Sequence, residues 1–496
     1  MTVALVYPNQ LFADHPALDG ADRVVLHEDD LFFRDEQYPA RNHKLRLVLH
    51  RASMQRYAAR LRDAGHEVEV VAWADRVSTA DLLARRADDG AKPVRLCEPV
   101  DFILEKRLHA AAEAAGVDLD ILDTPLFLTT RAENAAFFEG RKRYFMADYY
   151  KHQRRRLGIL VDDDGEPAGG QWSFDHDNRE TLTKAVLAEV PPLPEVEQDD
   201  VIEEARAYVE EHFPDHVGAS GLLPYPTTRD GAAEWLAAFV AQRFERFGPY
   251  EDAIEPGHSA LYHAVLTPVL NVGLVTPQQV LDAVLGADGI PLNSLEGFVR
   301  QVIGWREYMR ALYDLEGVPL RTANVWGFDR DLPDAWYDGT TGLAPVDDVI
   351  PRVLQTGYAN HIERLMVLGG ALFLTRVHPT QVYRWFMELF VDAYDWVMVP
   401  NAYGMSQHAA GPLLTTKPYM SGSNYLRKMS HYPRGDWEAE WDGLYWTFLR
   451  DYREPIEGYH RMAMITGHLD RMGEDKMAAH EAAADRYLKR IGIDDA

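Results

Sequence analysis

Four stretches of this chain concentrate side chains that could hold a charged, aromatic ligand or act on one. In FVRQVIGWREYMR (Phe298–Arg310), Gln301, Trp305 and Arg306 sit close together on a helix whose Val299, Val302, Ile303 and Met309 form an apolar face. An indole and a guanidinium beside such a face suit a stacked ring system bearing phosphates, since the guanidinium fork matches phosphate oxygens. An ordinary amphipathic helix with internal ion pairs has the same spacing. YANHIERLM (Tyr358–Met366) sets Asn360, His361 and Arg364 on neighbouring turns, with His361 and Arg364 on one face. FVDAYDWVMVPNAYGM (Phe390–Met405) places Asp392 and Asp395 beside Tyr394 and Trp396, ahead of Met398 and Asn401. Acids at that spacing cap a helix, or bind ribose hydroxyls or a metal. In TTKPYMSGSNYLRKM (Thr415–Met429), Lys417 and Lys428 bracket Tyr419 and Tyr425. Cations interleaved with aromatics suit phosphate contacts beside stacked or flipped bases.

The elements that must position these residues are helical. After about Asp230, apolar residues recur at the helical period over Ala232–Phe247, Pro277–Leu285, Leu295–Leu315, Val346–Leu374, Pro379–Leu389 and Leu444–Tyr452. The first quarter reads differently. Five β-type runs (Val3–Tyr7, Arg23–His27, Glu67–Ala72, Val94–Cys97 and Leu119–Leu122) alternate with helical patterns, the clearest being Leu45–Leu61. Such alternation predicts a doubly wound parallel sheet. We therefore divide the chain into an α/β domain (1–130), an interdomain linker with some helix (131–230) and an all-α domain (231–496). No Gly-x-Gly-x-x-Gly follows the first strand, so any ligand in the crevice beyond the strand ends binds without a glycine-rich turn.

Composition narrows the function classes. At 496 residues, two or more domains are expected. The net charge of −27, from 78 acidic and 51 basic residues, means that contact with nucleic acid must come from local cations. The single cysteine, Cys97, excludes an internal disulfide and a thiolate-ligated iron–sulfur cluster, and its setting in PVRLCEP reads as a packed thiol. No apolar run reaches the roughly 18–20 residues of a membrane span. MTVALVYPNQ reads as a first strand, so a cytoplasmic protein without a membrane partner is expected.

Taken in order with LYHAVLTPVLNVGLVTP (Leu261–Pro277), the four stretches resemble the photolyase–cryptochrome superfamily, specifically its bacterial iron–sulfur photolyases, or photolyase-related proteins. The likeness covers almost the whole chain. It implies an α/β domain followed by a helical FAD-binding domain, and light-driven repair of UV-damaged DNA of the (6-4) type. A cryptochrome photoreceptor is the alternative on the same scaffold, and a light-independent flavoprotein with an acidic docking surface is a third. The resemblance implies FAD contacts from His263, Thr267, Asn271, Gln301, Trp305, Arg306, Arg364, Asp392, Met398 and Asn401. It implies that His361, with Asn360 beside it, faces the lesion, and that Trp385 is the first electron-relay aromatic. Arg179, Lys417, Tyr419, Tyr425 and Lys428 fall on its DNA-facing segments. A 6,7-dimethyl-8-ribityllumazine antenna in the N-terminal crevice is a further expectation, as is a monomer.

The chain departs from that pattern in several places. The first of four cluster cysteines falls at Pro345, and SHYPRGDWEAEWDGLYW (Ser430–Trp446) contains none of the others, so no iron–sulfur cluster is expected and Trp437 and Trp441 must help close that lobe. Phe386 follows Trp385 where an oxidisable tyrosine is common, with Trp336 or Tyr337 at the outer relay position. Met398 stands where a carboxylate usually faces the flavin, and Asn360 replaces the first of a His-His pair.

Overall fold

The computed structural model describes residues 1–90 and 93–493. Its sheet has five parallel strands, β1 (Val3–Val6), β2 (Arg23–His27), β3 (Val68–Val71), β4 (Val94–Cys97) and β5 (Leu119–Leu122), in the order β3-β2-β1-β4-β5. All four residues of β1 are buried, because helices cover both faces of a doubly wound sheet. β1 stops at Val6 rather than Tyr7, since the Tyr7 N–H turns to the Gln10 side chain (3.2 Å) instead of the ladder.

The strand order reverses across β1, and the crevice beyond the ends of β1 and β4 is where such sheets bind ligands. Here the chain bridges it with its own side chains. Gln10 Nε2 donates to the carbonyls of Cys97 (2.8 Å) and Glu98 (3.2 Å), and Asn9 Nδ2 to that of Pro99 (3.0 Å). The same edge seats the helical half: Leu11 N–H donates to Val272 O (2.9 Å), and Glu98 pairs with buried Arg310. Cys97 is buried, which pushes its thiol up to about 12 and makes it inert.

Residues 131–230 do more than cross between the two parts. The Asp200–His212 helix lies along the Lys44–Asp63 helix, where Arg51 bridges Glu28 (2.9 Å) and Glu204 (2.8 Å). The Met146–Leu157 helix buries Tyr149 and Tyr150 and donates the Tyr150 hydroxyl to Glu296 (2.8 Å).

From Arg229 onward the structure is helical. The Leu295–Leu315 pattern is part of a longer rod, Leu292–Val299 running through a π-helical stretch (Arg300–Arg306) into Glu307–Arg321. The Val346–Leu374 pattern is two helices, not one. Gly357, in the left-handed region (φ 67°), ends Ala344–Thr356, and its missing Cβ lets Val391 pack against the turn. Helix then resumes through a second π stretch, Glu363–Gly369, into Gly370–Thr375. A third π stretch, Pro400–Ser406, continues the Asp395–Val399 helix. Among the described residues, no helix is long and apolar enough to cross a membrane.

Candidate functional site

A cavity of about 320 Å³ lies within the helical half, and all three π stretches line it. Gln301, Val302, Trp305 and Arg306 come from the first, Arg364 and Leu365 from the second, and Asn401, Ala402, Met405 and Ser406 from the third. A π turn inserts an extra residue into a helix, which rotates the following side chains and frees backbone groups, and it recurs at functional sites for that reason. A further part of the wall is the 263–271 segment, in which Val265 holds positive φ (51°), a conformation that is costly for a β-branched residue.

Arg306 is one of the lining side chains. Its guanidinium donates to Asn271 Oδ1 (2.6 Å) and Leu126 O (3.3 Å) and lies 4.7 Å from the Trp396 ring and 4.9 Å from that of Phe127. It forms no ion pair with a described residue, and its Nε has no partner. Burial lowers its pKa to about 10. A guanidinium desolvated without a counterion is costly unless an anion comes to it. Asn271 Nδ2 in turn donates to Asp392 O (2.9 Å). Arg364 binds the Asp392 carboxylate with both Nη atoms (2.8 and 3.0 Å), and the Thr267 hydroxyl donates to the same group. Two further buried donors or acceptors on the wall, His263 Nε2 and Trp396 Nε1, are unpaired.

Thr267 and His361 count as exposed although they sit deep in the molecule, because the cavity they line is open. Burial, with Arg364 nearby, lowers His361 to about 4. Water in the open cavity weakens that shift, and a ligand that expels the water restores it. His263 is lowered to about 4 by burial, with a smaller contribution from His361. Both imidazoles are neutral at pH 7. Glu251 and Asp252 also line the cavity. Burial pushes Glu251 up to about 7 and Asp252 up to about 6, with Asp175 adding to the rise of both.

The structure brings His263, Thr267, Asn271, Gln301, Trp305, Arg306, His361, Arg364, Asp392, Met398 and Asn401 to this one cavity. Two expected residues lie elsewhere. Asn360 is fully buried outside the lining, and its Oδ1 accepts from Glu363 N–H (3.0 Å), so it caps the helical turn instead of facing a substrate. Trp385 sits one layer behind the wall. Phe386 lines the cavity, with Trp385 at 5.1 Å from it and Trp336 at 5.7 Å beyond, both in edge contact. Tyr337 follows, its hydroxyl donating to Glu388 (2.7 Å).

The segment expected to face DNA is mixed. Lys417 and Lys428 form no ion pair with a described residue, whereas neighbouring Arg427 is held by Glu438 (3.1 Å). Tyr419 and Tyr425 are half-buried. Arg179 is exposed but already engaged by Asp175 and by Asp252 (3.7 Å), so its charge is compensated. Among the lining residues that sequence reasoning did not assign to a site are the two carboxylates Glu251 and Asp252 and the aromatic Phe386. The GPYEDA stretch reads as a surface turn, and nothing in its local pattern places two carboxylates in a cavity.

Comparison with known proteins gives a consistent set of likenesses. The family described as deoxyribodipyrimidine photo-lyase-related protein matches residues 4–222. A (6-4) photolyase of Agrobacterium fabrum is 34% identical over 510 residues, covering 99% of this chain and 99% of that protein. Among solved structures, a bacterial class III photolyase from Agrobacterium tumefaciens covers 100% of this chain and 92% of its own, with a TM-score of 0.57 at 16% identity. A Synechocystis cryptochrome covers 100% of this chain and 94% of its own, with a TM-score of 0.57 at 14% identity. These structural matches speak to the fold.

Proposed function

The chain belongs to the photolyase–cryptochrome superfamily, and from that premise we propose that it is a light-driven DNA repair flavoprotein of the (6-4) photolyase type, with FAD in the helical cavity. The observation that carries the cofactor is Arg306, a half-buried guanidinium on the cavity wall with a buried, unpaired Nε, no carboxylate partner among the described residues and two aromatic faces beside it. That is a site for a phosphate attached to a flat ring system. Bound FAD supplies the light-excited electron that a pyrimidine photoproduct takes up and returns.

The chain's own residues bind, orient and exclude water. Arg306 and Asn271 hold the phosphates. Asp392, pinned by both Nη atoms of Arg364, keeps lone pairs for ligand hydroxyls. Met398 offers a thioether that neither gives nor takes a proton. His361, neutral at rest, donates a hydrogen bond, and the phosphates of bound DNA raise its basicity so that it can carry a proton to the lesion. Trp385, Trp336 and Tyr337 form the relay outward, with Glu388 placed to accept the phenol proton of Tyr337.

A 6,7-dimethyl-8-ribityllumazine antenna belongs to the same reading, in the N-terminal crevice. Asn9 and Gln10 bridge that crevice with their own hydrogen bonds, so its entry requires them to part, and mass spectrometry of released chromophores decides the point. With Cys97 as the single cysteine, iron and acid-labile sulfide should both be near zero in anaerobically purified protein.

The deciding experiment illuminates an oligonucleotide carrying one (6-4) photoproduct. Light-dependent repair is expected, and His361→Ala should abolish it while FAD stays bound. FAD-loaded wild type that binds the lesion and repairs nothing would move the protein to the photoreceptor reading.

A further inference from the structure

The Gln301 amide lies between two groups that only accept hydrogen bonds when Glu251 is ionised. Its Nε2 donates to Glu251 Oε1 (2.6 Å) and to Gly297 O (3.3 Å). Both amide protons are then committed, and Oε1, which has no donor among the described residues, is left to the cavity that Gln301 lines. Glu251 is itself held in place. Asn178 Nδ2 donates to its other oxygen (3.0 Å), and an Arg300 Nη stands 3.5 Å away. Gly297 makes this possible, since a Cβ there would sit 2.7 Å from Asn178 Nδ2 and 3.4 Å from Glu251 Oε2.

We propose that Glu251 is a positioning residue that locks the Gln301 amide with its oxygen toward the cavity, making this wall an acceptor for an imide N–H or a hydroxyl on the entering base. The inference rests on the repair reading, because it names what that site selects. An acceptor fixed in one sense welcomes a donor and leaves a wrongly placed carbonyl unpaired, which is how a buried polar group discriminates. Free rotation of the amide would satisfy either partner and select neither.

Glu251→Gln tests the lock, because a second amide offers both donor and acceptor and lets Gln301 turn over. Measured at pH 8, where Glu251 is ionised, the preference for a duplex with one (6-4) photoproduct over undamaged duplex should fall about 10-fold, the scale of one buried hydrogen bond, with stoichiometric FAD retained. Glu251→Asp keeps a carboxylate and should recover most of the preference. Gln301→Leu removes the acceptor outright and should lose as much as Glu251→Gln, which keeps the test alive if that variant folds poorly. Undiminished lesion preference in FAD-loaded Glu251→Gln or Gln301→Leu overturns the positioning role alone. A wild type that does not distinguish damaged from undamaged DNA overturns the repair reading and the inference with it.

Discussion

The cavity and the C-terminal helix pair are built from similar helical material and are put together in opposite ways. Where Asp436–Asp451 crosses Glu474–Arg490, the backbones nearly touch: a Cβ on Gly443 would lie 2.7 Å from His480 O and 2.8 Å from Ala484 N. Trp441 is buried, with its indole N–H on Ser421 O (2.9 Å), and Arg490 is bidentate on Glu440 (2.6 and 2.7 Å). Around the cavity, by contrast, three helices carry π turns, two non-glycine residues of one segment hold positive φ, and the unpaired atoms of His263, Arg306 and Trp396 belong to cavity-lining side chains, whereas those of His480 and Tyr487 belong to the packed pair. One region gains stability from close packing. The other holds groups that a ligand must complete, so its contacts are worth more with FAD bound than without it.

The sharpest test of that contrast is Trp441→Ala. Emptying the space of a buried indole should cost about 3–5 kcal/mol in denaturant unfolding, with FAD retained by the folded protein. A loss below about 1 kcal/mol would mean that packing does not hold this lobe.

Arg306→Leu should do the reverse. Loss of a desolvated charge contact predicts FAD affinity down about 100-fold by titration of apoprotein, while the stability of the apoprotein stays level or rises. Equal weakening of apoprotein and holoprotein would break the distinction between the two regions.

Acid should act on the cavity side. His263 and His361 are lowered to about 4 from an ordinary value near 6.5, so the unfolded chain binds more protons between those values. Their contribution is present above pH 6.5 and is lost as pH falls toward 4. FAD release should rise over that window, and His263→Gln should flatten part of the slope. An unchanged profile in that variant would remove His263 from the account.

The smallest effect is expected at the surface. Lys417→Ala with Lys428→Ala should lower the dependence of log K on log salt by about 2 and weaken damaged and undamaged DNA alike. Loss of damage preference instead would place these lysines at the lesion. Arg179 should contribute less than either lysine, because Asp175 and Asp252 already neutralise it.

Much of the frame was legible in the amino-acid order. β2, β4 and β5 begin and end where the β-type runs do, and the Pro277–Leu285 and Pro379–Leu389 helices start at a proline in the first turn, behind Thr276 and His378 caps. These are local matters of period, φ and capping. The resemblance carried by these stretches and by Leu261–Pro277 also singled out eleven residues that the fold brings to one cavity, although none of them comes from Thr415–Met429.

What the sequence by itself determined, then, is which elements form and which residue types converge. Only the tertiary structure decided which way individual side chains turn. Trp385 and Phe386 are adjacent and both apolar, and about 100° of helix rotation places one on the cavity wall and the other behind it. The π turns are invisible to a period count, because one extra residue in a helix changes the phase without breaking the pattern. Glu251 enters the cavity only because Asn178, Arg300 and Gln301, remote in the chain or on another helix, supply the partners that let a carboxylate be buried there. A side chain's facing is fixed by what packs against it from far along the chain, and that information is not local.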